Sequence, residues 1–201
     1  MTDTGRAGRV RVERRLVTAR HGARLLDRKQ HLLADELREL EVLAGRTEAL
    51  WRQRSAEAER WLGRAAALDG HERIQAAAVA TPATAEVEWG GSMGVVYPRS
   101  AHCDPPTRPP GAGSSALAFA AAAHVAALVA AVEHAAAQRA VLLVSTELTA
   151  TRIRHRAVEK RWIPRLEDQL MAIRRRLDAQ DLEEGLRLRW AADKSIHAED
   201  F

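Results

Sequence analysis

Residue types that could support chemistry are few in this chain of 201 residues, and they are scattered. The stretch HCD, His102–Asp104, groups three metal-binding side chains, but one short cluster in a loop is a weak candidate because zinc sites usually need four ligands. The stretch GGSMG, residues 90–94, lacks the lysine and the following helix of a phosphate-binding loop. His21, His31 and His155 stand alone on predicted helices and are better explained as packed or solvated residues. The sequence therefore predicts no catalytic residue, no metal site and no cofactor.

Two basic stretches are the other feature that could act on a partner. Residues 6–29 and residues 152–176 each hold nine lysine and arginine residues and few acidic ones. In an antiparallel helical hairpin both stretches would lie near the end that holds the two termini. Such a positive end suits an acidic protein surface or the phosphates of a nucleic acid, and a solvated helix face explains it equally well. The net charge of +4 permits an acidic partner without requiring one.

The N-terminal segment has the apolar spacing of a coiled coil. From Leu16 to Ala44, steps of three and four residues meet an apolar side chain at eight of nine positions, the pattern of a helix that packs along a partner helix. No proline interrupts residues 1–80. We predict a helix over residues 10–79. Residues 10–70 alone would span roughly 90 Å at a rise of 1.5 Å per residue. Its predicted seam residues are Leu16, Ala23, Leu26, Leu33, Leu37 and Leu40.

A second seam toward the C-terminus supplies the partner helix. Residues 141–162 again step by three and four, and after Trp162 a four-residue step, a stutter, shifts the phase before the pattern resumes at Leu166. Pro164 lies inside this step and predicts a kink, because proline deletes one helical hydrogen bond. The alternative is that one helix ends and another begins there. The predicted seam residues on this side are Leu148, Val158, Leu166, Leu170, Ile173 and Leu177.

The middle of the chain differs in composition from both helices. Residues 80–115 hold six of the seven prolines and five of the twelve glycines. AEVEW (85–89) and MGVVYP (93–98) predict two short strands with GGS (90–92) turning between them, and residues 104–115 predict a mobile loop. We therefore predict a mainly α fold, a long antiparallel two-helix coiled coil with a small irregular head containing a short β-hairpin. Its segments are a disordered tail (1–9), the N-terminal helix (10–79), the head (80–115) and the C-terminal helix (116–201).

The alanine-rich segment 116–144 is long enough to span a membrane, but its composition argues against that. Alanine is only weakly apolar and strongly favours helix, and His124, Glu133 and Arg139 fall within the segment. The single cysteine, Cys103, excludes an internal disulfide and favours a reducing compartment. The N-terminal residues contain no apolar secretory segment. We therefore expect a cytoplasmic protein without membrane insertion.

Three separated segments together resemble the D subunit of the V-type rotary ATPases, including the archaeal and bacterial V/A type. In the first helix, the residues that match the family pattern are Leu16, Ala19, Gly22, Leu25, Leu26 and Lys29. In the head, the family's Met-Gly-Val-x-x-Pro element is matched by Met93, Gly94, Val95 and Pro98. In the last helix, the matches are Thr151, Arg152, Arg154, Ala157, Glu159, Ile163, Pro164 and Leu166. The family's early Pro-Thr-Arg is replaced by GRVRVERR, and Ile153 and Arg156 stand where the family has Arg and Asn.

The resemblance implies the central stalk of a rotary ATPase, the shaft that couples ATP synthesis or hydrolysis to proton or sodium transport. Its coiled coil would enter a ring of catalytic and non-catalytic subunits, and its lower part would bind the F subunit and the funnel-shaped subunit above the membrane ring. The residues implied in ring contact or packing are Gly22, Lys29, Arg152, Arg154, Glu159 and Pro164. A glycine inside a helix costs roughly 1 kcal/mol, so we expect Gly22 to admit a close backbone approach, the alternative being a tolerated surface glycine. This role implies no nucleotide of its own and no nucleic-acid partner. The alternative is a coiled-coil scaffold or nucleic-acid-associated protein that uses the basic end.

Overall fold

The computed structural model describes residues 5–78, 81–105 and 113–199, and side chains as far as residue 191. It is 83% helical, with long N- and C-terminal helices and a two-stranded antiparallel hairpin between them, so the predicted fold class is confirmed. The elements in chain order are α1 (Arg6–Ala76), β1 (Thr84–Ser92), β2 (Val95–Asp104), α2 (Ser115–Ala157), a π-helical turn (Val158–Trp162) and α3 (Ile163–Glu199). Residues 1–4 of the predicted tail and 106–112 of the predicted loop lie outside the described residues.

Gly70 interrupts the helical geometry near the end of α1. Its φ of 72° and ψ of 166° lie in a region that only glycine adopts readily. The preceding residue, Asp69, accepts hydrogen bonds from the Ser114 backbone N–H at 3.0 Å and from the Ser114 hydroxyl. Ser114 in turn caps α2, because its Oγ accepts the backbone N–H of Leu117. The hydrogen bonds from Ser114 lower the pKa of the Asp69 carboxyl. The continuous helix expected to residue 79 therefore carries a break that the proline-free sequence did not indicate.

The chain divides into two compact units. The terminal unit comprises residues 1–28 and 151–201, and the central unit comprises residues 29–150. In the terminal unit, the start of α1 packs on α3 through a cluster in which each residue is at most 9% exposed: Val12, Leu16, Leu166, Leu170 and Ile173. Ala19, Ile163 and Leu177 lie against this cluster.

The described residues of the central unit form two apolar clusters between α1 and α2. The larger one also receives the hairpin, because Tyr97 packs with Leu33, Leu40, Ala140, Val144 and Leu148. The smaller one consists of Ala65, Ala116, Leu117 and Ala120. Beside it the rings of Trp61 and Phe119 stack with centroids 4.8 Å apart. The small alanine side chains place little volume between α1 and α2 in this cluster.

The hairpin turn lies at Met93–Gly94. Ser92 pairs with Val95, so the connection is a two-residue loop, and φ is 51° at Met93 and 82° at Gly94. Positive φ at both central positions defines the type I′ turn that suits the twist of a hairpin. The prediction that GGS forms the turn was wrong, because residues 90–92 belong to β1. A bulge between Glu88 and Trp89 shifts the register of the strands.

One continuous helical stretch, Ser115–Ala191, is long and apolar enough to cross a membrane when the described residues are judged by length and composition alone. Its most apolar window has a mean hydropathy of 2.1, and 22% of that window is buried. Alanine supplies much of this hydropathy, and core helices of proteins outside membranes pass the same test. The stretch is therefore weak evidence for a membrane span.

Candidate functional site

The predicted seam residues fall on the inner faces of the packed helices. In the terminal unit, five of them are buried at 9% exposure or less: Leu16, Ala23, Leu166, Leu170 and Ile173. Three others are half-buried there: Leu26, Val158 and Leu177. In the central unit, Leu33, Leu40 and Leu148 are buried and Leu37 packs against them. Each unit thus contains a lengthwise apolar contact between an N-terminal and a C-terminal helical segment.

A π-helical turn stands where the sequence showed a phase shift. The Ile163 N–H bonds to the Val158 carbonyl, five residues earlier, and the backbone stays right-handed helical at Ala157 and Ile163. The wider turn holds one extra residue, so Ile163 packs on the apolar cluster while Trp162 is 53% exposed. The seam expected to pass through Trp162 therefore passes through Ile163. Pro164 follows directly, at a point where the regular ladder of hydrogen bonds is already interrupted.

Ion pairs join α1 to α3 in the terminal unit, and three of those formed by the described residues are regularly spaced. They are Arg6–Asp181 at 3.3 Å, Glu13–Arg174 at 3.1 Å and Arg20–Glu167 at 2.7 Å. The residues are seven apart on both helices, and the positive partner alternates between α1 and α3. An antiparallel slip of one heptad would place Arg6 opposite Arg174 and Glu13 opposite Glu167. We call these six residues the charge ladder, and its alternation opposes such a slip.

Polar contacts also join α1 to α2 in the central unit. The family-matching Lys29 donates to Glu147 at 2.8 Å, and both side chains are about three-quarters buried. Further along, Thr47 Oγ1 and His134 Nδ1 are 3.2 Å apart. His134 is 7% exposed and stacks on Trp51 with centroids 5.5 Å apart. Sequence reasoning missed this buried histidine, because it lies in a run of alanines whose pattern marks no single inner face.

Four other family-matching residues, Gly22, Arg152, Arg154 and Glu159, are more open than Lys29 or have free space beside them. A Cβ built on Gly22 would meet nothing within 4 Å, so the close backbone approach expected there is absent from the described part of the chain. Arg152 and Arg154 are exposed on α2. Glu159 is exposed as well and lies 3.8 Å from Lys160 within the π-helical turn. These three charged side chains are therefore accessible to solvent.

The head is fastened to α1 through Tyr97, which the family pattern did not single out. Its hydroxyl donates to the Glu36 carboxylate, and burial, together with that hydrogen bond, raises the pKa of Tyr97 to about 12. The adjacent Pro98 is buried beside the bulge and pairs with Trp89, and Val95 packs against the larger cluster. Met93 and Gly94 form the exposed turn. The four family-matching head residues thus shape the hairpin and hold it against the helices.

The HCD stretch does not converge on a metal. Cys103 is 3% exposed, whereas the side chains of His102 and Asp104 are 75% and 61% exposed. Alternation along β2 sends the thiol to one face and its neighbours to the other. His102 and Asp104 instead contact each other at 3.2 Å. Within the described ranges, no group of three or more potential ligands is close enough to hold a metal ion.

Comparison with known proteins identifies the family. No curated protein matches the chain. The family model for the D subunit of ATP synthase matches residues 9–193, which covers the hairpin, α2 and most of α1 and α3. Members of this family are stalk subunits of rotary ATPases, are generally non-catalytic, and work in a complex peripheral to the membrane. With its two long helices and central hairpin, the chain belongs to the family of ATP synthase D subunits.

Proposed function

We propose that this chain is the central shaft of a V/A-type rotary ATP synthase or ATPase, transmitting rotation between the catalytic ring and the membrane ring. In this role it couples ATP synthesis or hydrolysis to proton or sodium transport. The observation that carries the proposal is the family match over residues 9–193. The chain itself holds no nucleotide and performs no catalysis, and it lies in the cytoplasm at the membrane surface.

The packing within each unit supports a mechanical role. A shaft under torque must resist sliding of one helix along the other. In the terminal unit, the apolar cluster and the charge ladder both favour a single register. In the central unit, the Lys29–Glu147 pair and the buried His134 add polar contacts of defined geometry. Polar groups inside an apolar helix contact are the usual device for specifying register.

The mechanism follows from asymmetry. A body built from two different helical segments presents a different surface in each direction, whereas the surrounding ring repeats its subunits. Each catalytic interface therefore meets different side chains, and the difference in contact free energy biases its open and closed states. Rotation of the shaft passes these contacts from one interface to the next. Arg152, Arg154 and Glu159 are the family-matching residues that we assign to ring contact, while the F subunit and the funnel-shaped subunit bind lower on the shaft.

The runner-up is a coiled-coil scaffold or nucleic-acid-associated protein. It is favoured by the many exposed arginines of residues 6–29 and 152–176. A protein that binds nucleic acid through such arginines would bind any sequence and would lose affinity steeply as salt rises. The two roles therefore differ in their partner and in their response to ionic strength.

Reconstitution tests the proposal. The chain would be mixed with the catalytic and non-catalytic subunits of the same cell, with and without the F subunit, and followed by gel filtration and ATP hydrolysis. We expect the chain to enter the ring stoichiometrically and to change the rate of hydrolysis. A chain with Arg152→Glu and Arg154→Glu should alter ATPase coupling while keeping its melting temperature. Absence of ring binding, together with salt-sensitive DNA binding, would exclude the shaft role.

A further inference from the structure

A groove opens in the terminal unit beside the π-helical turn. Its volume is about 580 Å³, and its lining includes Arg15 of α1 together with Ala157, Arg161, Trp162, Arg165 and Leu166 from the other side. The π-helical turn supplies the aromatic side of the groove, because its extra residue moves Trp162 off the apolar seam and leaves this residue 53% exposed. Leu166 is 2% exposed and provides an apolar floor.

Three of the residues that line the groove are arginines. Among the residues that the structure describes, no carboxylate forms an ion pair with Arg15, Arg161 or Arg165. Other arginines on the same helices are paired, such as Arg20 with Glu167 at 2.7 Å. Three guanidinium groups around one concave surface produce a local positive potential that favours an anionic occupant. Guanidinium matches a carboxylate with two parallel hydrogen bonds, which gives such contacts both strength and direction.

The composition of the groove resembles the centre of a protein–protein interface. Tryptophan and arginine are the residues that most often dominate binding energy at such interfaces, particularly where they surround a desolvated pocket. The exposed indole and the Leu166 floor offer apolar contact to one bulky side chain. The guanidinium groups around them can each donate hydrogen bonds to a carboxylate from residues that flank that side chain.

We infer that this groove binds an acidic peptide segment of a partner protein, with an apolar side chain seated against Trp162 and flanking carboxylates on Arg15, Arg161 and Arg165. Nucleic acid fits the groove less well. Single-stranded nucleic acid is usually held by several aromatic side chains that stack successive bases, whereas the groove has one aromatic residue and an apolar floor. The inference concerns peptide recognition by the chain itself and does not depend on the rotor role.

The test uses the full chain and a fluorescein-labelled synthetic peptide in which one leucine and one phenylalanine are flanked on both sides by pairs of glutamates. Binding is measured by fluorescence anisotropy at 50 mM and 300 mM salt. The groove variant replaces Arg15, Arg161 and Arg165 with glutamine. The matched control replaces Arg14, Arg24 and Arg176 with glutamine in the same way. These three exposed arginines belong to the same unit and do not line the groove. A second variant, Trp162→Ala, removes the indole without changing charge.

We expect the groove variant to bind the peptide at least tenfold more weakly, and the control to stay within threefold of the parent chain. Trp162→Ala should weaken binding severalfold and should leave the salt dependence unchanged. Circular dichroism of each variant verifies that the helices remain folded. If the groove and control variants lost the same amount of peptide affinity, the binding would depend only on the net charge of the unit, and the inference would be overturned. Tighter binding of a charge-matched oligothymidine than of the peptide would also overturn it. Neither outcome bears on whether the chain joins the ATPase ring.

Discussion

Reversing one charge of the ladder, Arg20→Glu, is expected to destabilise the terminal unit by a predictable amount. Arg20 and Glu167 form the shortest of the three ladder pairs, at 2.7 Å, and their side chains are 57% and 43% exposed. The substitution places a carboxylate opposite Glu167 in place of a guanidinium. The compensating swap, Arg20→Glu with Glu167→Arg, exchanges the two charges and restores the attraction. We do not expect Arg20→Glu to alter the remote ion pair between Arg6 and Asp181.

The magnitude follows from the exposure of the pair. Exposed ion pairs contribute about 0.2–1 kcal/mol, and a repulsion of similar size replaces the lost attraction. The single reversal should therefore cost about 1 kcal/mol, which corresponds to a fall of about 2–4 °C in melting temperature for a protein of this size. The swap should recover most of that loss. The cost should shrink at about 1 M salt, where the Debye length is about 3 Å.

The assay is a double-mutant cycle. Thermal unfolding would be followed by circular dichroism for the parent chain, Arg20→Glu, Glu167→Arg and the swap, each at low and high salt. Arg24→Glu serves as the control, since it changes the same charge at an exposed site on the same helix without an ion pair among the described residues. A coupling free energy near zero, or equal losses for Arg20→Glu and Arg24→Glu, would refute the claim that the ladder stabilises the register.

Three further outcomes are expected. Leu33→Ala should cost about 2–5 kcal/mol in urea unfolding because the side chain is 0% exposed, whereas Leu32→Ala, at a 39% exposed site, should cost far less; equal costs would contradict the seam. Folding favours the neutral phenol of Tyr97, so its stabilising contribution is full below pH 10 and is lost as pH rises through about 12. Absorbance at 295 nm follows the ionisation of this single tyrosine. The variant Tyr97→Phe should lack that part of the pH dependence of stability. Asp69→Ala removes the acceptor of both Ser114 hydrogen bonds, and hydrogen exchange should show faster amide exchange at the start of α2; unchanged protection would argue against this cap.

The helices were predictable because burial along them repeats with a fixed period. Leu33, Leu40 and Leu170 are buried in the structure at positions that the three–four spacing marked. Local backbone geometry was harder to predict. The break at Gly70 directly follows Asp69, whose carboxylate accepts hydrogen bonds from Ser114, 45 residues away in the chain, so the local sequence pattern does not predict it.

The candidate site was less predictable than the fold for the same reason. Burial of His134 depends on Trp51 and Thr47 from the other helix, and the hydrogen bond from Tyr97 to Glu36 joins the head to α1. The ladder residues resemble solvated charges when either helix is considered alone. Their alternation gains meaning only when the two helices are placed in register. Ring contact by Arg152, Arg154 and Glu159 stays a prediction, because it concerns a surface that only a partner would complete.

The π-helical turn also has a consequence for comparing and redesigning sequences of this family. It holds one residue more than a regular helix needs between Val158 and Ile163. Deleting one residue inside it would leave a regular α-helical turn, so Leu166 and Leu170 would keep their places in the apolar contact. The same deletion later in α3 would turn every following side chain by about 100°, because an α-helix has 3.6 residues per turn. A relative one residue shorter in this region should therefore be aligned with its gap inside residues 158–163, and length changes in chimeric chains belong there too.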